Sequence, residues 1–256
     1  MVVALRTDRT VWVRPAVETD LRQVEDVIAA DCLGIAPTSA RRTGPLTSGL
    51  TRQALLVAHD GHGQVLGAAA LCRAGARDLL TGGVAWLHCR EHPVTAAVLV
   101  RAALERSAGL SAVTAFTEPT PWPPHLPGLA LHDRPVTFDA FTDAGFRTAD
   151  QWLLFQRPPQ SGQAGNADRA ERCTAPPVWV TAAGGISRTP HSEPFPLPDT
   201  LWRGNLRRSL ERVDAGGYGR ALTTVDLLAP RATRRCEILR ACGFEEVDLL
   251  RSLVLV

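Results

Sequence analysis

The sequence contains no lysine, so all 28 of its Lys-plus-Arg residues are arginine. Schiff-base catalysis, including the internal aldimine of pyridoxal phosphate enzymes, requires a lysine amine, and the common phosphate-binding loop ends in Gly-Lys-Ser/Thr. The composition therefore excludes these mechanisms, and with them most kinase and nucleotidase functions. Tyrosine and methionine occur once each. This scarcity is typical of a GC-rich bacterial genome and carries no information about function.

Long apolar runs are lacking as well. Residues 1–10 carry three charged side chains and no apolar stretch of the kind found in a signal peptide. The apolar run 94–100 ends at Arg101, far short of the ~20 residues that span a bilayer. We therefore expect a cytoplasmic protein without membrane contact. Its six cysteines show no paired short spacing and would remain thiols in a reducing compartment.

Neither sign of charge is in marked excess. The sequence contains 28 basic and 26 acidic residues, a formal net charge of +2. We therefore expect no nucleic-acid partner. The nucleophile elbow of serine hydrolases, Gly-x-Ser-x-Gly, does not occur. Gly61, Gly63 and Gly67 fall within a predicted hairpin and do not form a dinucleotide fingerprint. With 256 residues, of which 45% are hydrophobic, the chain forms one large core or two small ones.

Two short strings occur twice in the chain. Val-Trp-Val stands at residues 11–13 and again at 178–180. A segment that ends in Gly-Phe stands at 138–146 and again at 236–244, so the two glycines lie 243 − 145 = 98 residues apart. In both segments the glycine occupies the place of a left-handed residue that ends a helix. This repetition predicts a duplicated unit whose second copy is shortened.

A stretch rich in proline and glycine separates the two copies. Residues 157–177 hold four prolines and two glycines among polar residues, which is the composition of a flexible connection. We therefore predict one full lobe over residues 1–158, a linker over 159–176 and a truncated lobe over 177–256.

The hydrophobic pattern of the first half alternates between strand and helix periods. It predicts the order β-α-β-β-β-α-β-α-β, a mixed α/β fold. The predicted strands are residues 11–16, 53–58, 64–72, 83–87, 112–117 and 151–156, and the predicted helices are 18–30, 94–107 and 135–144. The glycine-containing turn 59–63 would join the second and third strands as a hairpin.

Three segments carry a family resemblance. They are Val13-Arg14-Pro15-Ala16 with Thr19-Asp20-Leu21, Val65 to Ala70, and Ala140 to Phe146. In this order they resemble the opening strand and helix, the third strand and the last helix of the GNAT superfamily of N-acetyltransferases. The resemblance covers about residues 1–158, and its last part recurs in 177–256. It implies a GNAT-like mixed sheet and acyl transfer from acyl-CoA to a small amine-containing metabolite.

The resemblance also implies a donor site. In the family, a strand leads into a helix with the pattern Arg/Gln-x-x-Gly-x-Gly/Ala, whose bare N–H groups hold the pyrophosphate of acyl-CoA. Here Glu91 replaces Arg/Gln and two bulky side chains replace the glycines, while Pro93 removes an N–H donor. We therefore expect an atypical donor site, with acyl-CoA or an acyl carrier protein as candidate donors. Its candidate residues are His92, Val94, Thr95 and Ala96.

A weaker donor pattern lies in the second half, where Arg203 and Gly204 precede a predicted helix. Arginines on this helix form a basic stripe, which is either a solvated face or a contact for a phosphate, for CoA or for the phosphopantetheine of a carrier protein. The family's usual general acid is a tyrosine four residues before the glycine of Gly-Phe. Phe141 and Leu239 stand at these positions, so the usual acid is missing.

Candidate catalytic side chains follow two predicted strands. His88 and Glu91 lie at the end of the fourth strand, and Glu118 follows the fifth. Imidazole and carboxylate groups both accept protons from amines, and we rank Glu118 first, His88 second and Glu91 third. The alternative interpretation of the first pair is a solvated strand end with one buried histidine. Cys89 and the flanking histidines resemble zinc ligands, but a fourth ligand is lacking and we expect no metal.

Candidate substrate-binding residues are Trp86 on the fourth strand and, in the proline-rich insert 119–127, Trp122 and His125. The insert would act as a lid over a V-shaped opening between the fourth and fifth strands. The alternative is that Trp122 only packs this loop against the core.

Three functions remain open. The first is a two-lobed, GNAT-like acyltransferase acting on a small amine or an amino-sugar-like acceptor. The second is a GNAT-fold protein that performs a different reaction in secondary metabolism, because the usual donor cradle and acid are both lost. The third is a binding or scaffolding protein without catalysis.

Overall fold

A computed structural model describes residues 2–3, 10–31, 54–76, 79–117, 128–158, 178–182, 185–188, 199–215 and 220–256. The chain forms two compact units. The first comprises Met1–Leu33, Gly44–Asp150 and Arg251–Val256, and the second comprises Gly34–Thr43 and Gln151–Leu250. In the part of the chain that the structure describes, no helix has the length and apolar character needed to cross a bilayer.

The first unit is built on a sheet whose strands follow one another in chain order. They are β1 (Val2–Val3), β2 (Val11–Pro15), β3 (Ala54–His59), β4 (Val65–Ala76), β5 (Leu79–His88) and β6 (Ala112–Ala115). Neighbouring strands are antiparallel except β5 and β6, which run parallel. The end of the last strand, β12 (Glu245–Leu255), pairs antiparallel with β6, with Leu253 opposite Ala115.

Helices cover both faces of this sheet. They are a short 3₁₀ turn (Glu18–Asp20), α1 (Leu21–Asp31), α2 (Pro93–Arg106) and α3 (Pro135–Asp143), and a short strand, β7 (Leu129–Ala130), precedes α3. The apolar face of α1 packs with Trp86 in one core. Leu87 and Cys89 belong to the other core, with α2 and α3. Trp86 and Leu87, successive residues of β5, thus face opposite layers.

The strands of the second unit lie in the order β8-β11-β9-β10, with antiparallel neighbours. Its elements are β8 (Arg147–Arg157), β9 (Val178–Ala182), β10 (Gly185–Arg188), α4 (Asp199–Ala215), β11 (Arg220–Asp226) and α5 (Ala232–Ala241). Phe155 of β8, Trp202 and Leu206 of α4, and Leu239 of α5 share one apolar core.

The predicted mixed α/β fold is confirmed, and so is the left-handed conformation of the two helix-ending glycines. Gly145 has φ +93° and Gly243 has φ +80°. The fourth strand begins at Leu79 and not at residue 83. The apolar pattern does not predict residues 79–82 as part of this strand, because glycines interrupt the apolar run. A Cβ on Gly83 would lie 3.0 Å from the Thr114 carbonyl oxygen, so glycine here permits the close approach of β6.

Candidate functional site

A carboxylate at the end of α1 lies at the centre of the site. Asp31 Oδ2 accepts hydrogen bonds from the Cys89 amide at 2.9 Å, from His88 Nδ1 at 3.2 Å and from Arg134 Nη2 at 3.2 Å. Burial alone would raise the pKa of Asp31, but the hydrogen bond from His88 and the charge of Arg134 outweigh it and hold the pKa at about 2. Asp31 is therefore ionised at neutral pH.

His88 ends β5 and is 2% exposed. Burial, together with the nearby Arg134 cation, lowers the pKa of His88 against the opposing effect of Asp31, so the imidazole is neutral at neutral pH. Since Nδ1 lies 3.2 Å from a carboxylate oxygen, we assign the proton to Nδ1 and the basic lone pair to Nε2. The Trp86 and His88 ring centroids lie 5.5 Å apart, so the two side chains neighbour each other on the α1 face.

Arg134 immediately precedes α3 and is 3% exposed. In addition to Asp31, its Nη2 donates to the Leu87 carbonyl at 2.6 Å and to Thr137 Oγ1 at 3.1 Å, while Nε donates to Glu91 Oε1 at 3.4 Å. The guanidinium therefore links α1, β5 and α3. Its buried Nη1 has no hydrogen-bond partner among the described residues.

Glu91 lies in the turn between β5 and α2, where it and Arg90 both have left-handed backbones, with φ +48° and +51°. Its carboxylate accepts from the Thr137 amide at 3.0 Å and from the Thr137 hydroxyl. A carboxylate at the start of α3 satisfies a free helical N–H and interacts favourably with the helix dipole. Glu91 thus anchors this strained turn to α3. We call Asp31, His88, Glu91, Arg134 and Thr137 the Asp31 cluster.

The start of α2 does not fit a pyrophosphate. His92 caps the helix, because its Nδ1 accepts from the Thr95 amide at 3.4 Å, and Pro93 at the first position has no N–H. Two of the amides that would face an anion are therefore lost. Thr95 and Ala96 are fully buried. The residues present therefore do not form the donor cradle of acyl-CoA.

The Asp31 cluster contains potential metal ligands. Ligand atoms of Asp31, Cys89 and Glu91 lie within 4.8 Å of one another. However, the Arg134 guanidinium donates to both carboxylates and already supplies positive charge there. Burial also raises the pKa of the Cys89 thiol, which disfavours the thiolate that metals bind. The chemistry of this group is that of an internal ion-pair network.

The sheet opens beside this cluster. Pairing of β5 with β6 ends at Val84 and Ala115, and the following residue, Phe116, adopts φ +57° and donates its amide to the Val84 carbonyl at 3.0 Å. β5 continues to His88. The two strands therefore part beyond Val84, where the sequence predicts a V-shaped opening.

The structure brings together some of the predicted site residues. His88 and Glu91 meet in the Asp31 cluster, and Trp86 lies beside His88. Glu118, Trp122 and His125 lie outside the described residues, and their roles stay predictions.

One predicted helix start is wrong. Arg203 and Gly204 do not precede a helix, because α4 begins at Asp199. Trp202, Leu206 and Leu210 recur at intervals of four residues and pack into the core of the second unit, so the helical pattern already includes residue 203. A donor contact of these two residues stays a prediction.

Sequence reasoning missed Asp31, Arg134 and Thr137. A signal existed for Asp31, which follows Val24, Val27 and Ile28 on the apolar face of α1. A carboxylate on a buried helix face requires a partner. The sequence contains no comparable sign for Arg134, whose partners come from distant elements.

Two solved structures are similar over almost the whole chain. A GCN5-related glucosamine N-acetyltransferase region of a fungal multi-domain GH3 β-N-acetylglucosaminidase has a TM-score of 0.57 and 12% identity, covering 98% of this chain and 38% of that one. A GCN5-related N-acetyltransferase from Sphaerobacter thermophilus has a TM-score of 0.52 and 12% identity, covering 96% of this chain and 95% of that one. This chain thus spans well under half of the fungal protein's length.

No protein-family model matches the chain. No curated protein matches it in sequence either. At 12% identity the likeness to the two solved structures is one of fold. The chain therefore has the fold of the GCN5-related N-acetyltransferases, the GNAT superfamily that its sequence resembles.

Proposed function

We propose that the protein is an acyltransferase that acts on a small amine-containing metabolite and uses an atypical donor site. The shared fold supports the reaction class. The observation that carries the proposal is the Asp31–His88 pair, a neutral imidazole held by a buried carboxylate at 3.2 Å. A general base of this kind is what an amine needs before it attacks an acyl group. The proposal includes a cytoplasmic location and a metabolite acceptor such as an amino sugar.

In this proposal His88 is the proton acceptor. Its Nδ1 donates to Asp31, so Nε2 takes a proton from the ammonium form of the substrate and leaves a nucleophilic amine. Asp31 acts as a positioning residue that fixes the tautomer and stabilises the resulting imidazolium. Because His88 is 2% exposed, substrate must displace the groups that cover it before proton transfer. Glu91 accepts hydrogen bonds from Thr137 and Arg134 and stabilises the turn between β5 and α2.

Trp86 supports a polar substrate at this place. The side chain is fully buried, and its Nε1 has no hydrogen-bond partner among the described residues. A buried donor without a partner costs about 1–3 kcal/mol. A hydroxyl or carbonyl oxygen of the substrate that accepts from Nε1 would recover this energy next to His88, as an amino sugar or an amino acid could.

The test compares wild type with His88→Gln. Each protein is incubated with glucosamine, a polyamine or an α-amino acid, and with acetyl-CoA or acetyl phosphate, and acetylated amine is measured by mass spectrometry. Loss of a positioned base lowers turnover by ~100- to 10,000-fold. His62→Gln, an exposed histidine of the β3–β4 turn, is the matched control and should retain full turnover. Full activity of a folded His88→Gln protein would contradict the assignment.

A second candidate is a reaction other than acyl transfer in the same fold. The hydrogen bond from Arg134 to Leu87 favours it, because this bond occupies a backbone carbonyl of β5 in the opening of the sheet. The two candidates differ in their products. If wild type consumes a metabolite from a cell extract without forming an acylated amine, and His88→Gln does not, this second candidate holds.

A further inference from the structure

We infer that the opening between β5 and β6 is closed by the protein's own Arg134 and Asp31, so that the first unit does not accept a pantetheine thioester there. This would exclude both coenzyme A and the arm of a carrier protein from the opening. The inference concerns binding alone and does not depend on the proposed acyltransferase activity. It goes beyond the misfit at the start of α2, because pantetheine is chemically distinct from pyrophosphate.

The opening would otherwise present an unpaired strand edge. Beyond Val84, β5 runs on to His88, and the described residues of β6 do not pair with this part of it. Such an edge offers backbone N–H and C=O groups to any extended molecule that carries amides. Pantetheine is an extended chain with two amide groups. Whether the backbone N–H and C=O groups at this edge of β5 are already hydrogen-bonded therefore decides whether such a ligand can bind there.

Side chains of the first unit already occupy these groups. The Leu87 carbonyl accepts from Arg134 Nη2 at 2.6 Å, and the Cys89 amide donates to Asp31 at 2.9 Å. Ala70 of β4 pairs with Trp86 and Leu71 pairs with Val84, so Ala85 is an extra residue that forms a bulge in β5. The bulge shifts the strand alternation by one residue, and Leu87 and Cys89 therefore direct their backbone groups to the same edge as Val84, which faces β6. Arg134 and Asp31 also bond to each other at 3.2 Å, so they form one continuous partner along this edge of β5.

α3 extends from the β5 side of the opening to the β6 side. Phe141 of α3 packs against Phe116, the residue at which the chain leaves β6, with ring centroids 5.3 Å apart. The later part of α3 therefore lies at the β6 side, whereas Thr137 near its start bonds to Glu91 at the β5 side. From the start of this helix Arg134 reaches the Leu87 carbonyl on the β5 side.

Displacing this partner would be unfavourable. Arg134 and Asp31 are both at least nine-tenths buried, and each would lose a charge-assisted hydrogen bond. Glu91 also accepts from Nε of the guanidinium, and Thr137 accepts from its Nη2. A pantetheine amide would replace bonds to ionised groups with bonds between neutral groups, which are weaker.

The test is isothermal titration of full-length protein with pantetheine and, separately, with acetyl-CoA, each to millimolar concentration. Wild type is expected to show no saturable binding of pantetheine, and binding of acetyl-CoA at the atypical donor site of the proposed function should not be competed away by pantetheine. The double variant Asp31→Ala with Arg134→Ala removes both blocking side chains, including the oxygen that accepts from the Cys89 amide, without leaving either partner as a lone buried charge. It is expected to gain saturable binding of pantetheine. Arg234→Ala, which removes an exposed arginine paired with Glu237, is the control and should behave as wild type.

Two results would overturn the inference. One is saturable binding of pantetheine to wild type that acetyl-CoA competes away. The other is a double variant with a native near-UV spectrum that still does not bind pantetheine, since the closure would then lie elsewhere.

A measurement on wild type keeps the inference testable if the double variant fails to fold. The Cys89 amide is buried and bonded to Asp31, so its hydrogen exchange should be slow and unchanged by acetyl-CoA. A change of exchange at Cys89 when acetyl-CoA is added would show that ligand reaches this edge, and would also overturn the inference.

Discussion

The ionisation of Asp31 links the site to the stability of the protein. Its pKa is about 2 in the folded chain and about 3.9 in an unfolded chain. A lowered folded-state pKa stabilises the protein above the unfolded-state value, and this contribution is lost as the pH falls towards 2. The full difference corresponds to about 3 kcal/mol.

We therefore expect the free energy of unfolding of Asp31→Asn to depend less on pH in the acid range than that of wild type. Between pH 5 and pH 2, the free energy of unfolding of wild type should fall by about 2 kcal/mol more than that of the variant. Urea unfolding at a series of pH values measures this difference. Asp139→Asn, on the exposed side of α3, serves as control and should follow wild type. Parallel profiles for wild type and Asp31→Asn would contradict the assigned role.

His88 gives a second pH dependence, this time of turnover. Because its pKa is lowered, activity that requires the neutral ring should fall only below the ordinary histidine value of about 6.5. Asp31 raises the pKa of His88, so Asp31→Asn should move this acid limb to still lower pH and reduce the maximal rate. The pH profile of kcat/KM measures both effects. An acid limb that moves to higher pH would contradict the pairing.

The sequence predicts that His88 and Glu91 lie at a strand end. It does not predict which groups hydrogen-bond to them. Asp31 lies 57 residues from His88 in the chain and 103 residues from Arg134. Periodicity reports which face of an element is buried, whereas these contacts depend on how helices dock on the sheet. The role of Glu91 could not be predicted for the same reason, since its partner Thr137 belongs to α3.

At the scale of elements, the turn between β5 and α2 is the strained part of the site. Arg90 and Glu91 both have left-handed backbones, a conformation that costs a non-glycine residue about 1–2 kcal/mol. At Glu91, the hydrogen bonds with Thr137 and Arg134 offset this conformational cost. Arg90 is exposed, so its side chain contributes little in return.

We expect Arg90→Gly to stabilise the protein by about 1 kcal/mol, because glycine adopts this backbone without steric cost. Arg101→Gly is the matched control, since Arg101 is an exposed residue within α2 and glycine inside a helix costs about 1 kcal/mol. Chemical denaturation of the two variants should therefore shift in opposite directions. A destabilised Arg90→Gly protein would show that the turn is not strained at this residue.

The elements themselves were predictable to different degrees. Strands and helices with clear apolar periods lie where the pattern puts them, as α1 and β3 do. The sequence predicts too late a start for α4 because Arg203 and Gly204 resemble a loop, although Trp202 already belongs to the buried face of the helix. Tertiary burial thus overrides local composition at this end.

At the scale of the whole molecule, the two Gly-Phe segments have the same local geometry. The Phe146 amide donates to the Phe141 carbonyl at 3.1 Å, and the Phe244 amide donates to the Leu239 carbonyl at 3.1 Å. Phe141 and Leu239 are both fully buried. Helix ends of this kind occur in unrelated proteins, but their occurrence at matched positions supports the proposal that residues 177–256 are a truncated copy.

A truncated copy should depend on the strand that precedes it. β11 pairs with β8 from Ala221, opposite Arg157, to Asp226, opposite Trp152, and Phe155 of β8 is fully buried in the core of the second unit. A fragment of residues 177–256 lacks this strand. It would expose an edge of β11 and an apolar surface on α4 and α5, and a unit of about 80 residues has little other area to bury.

We therefore expect fragment 177–256 to be unfolded or aggregated, whereas fragment 147–256, which retains β8, should show a more dispersed amide spectrum. Two-dimensional NMR of both labelled fragments measures the difference. Phe155→Asp in the longer fragment is the control for the role of this strand, because a charge in the apolar core should abolish the added dispersion. A well-dispersed spectrum from 177–256 alone would show that the second copy folds without β8, and the dependence argued from its pairing would be wrong.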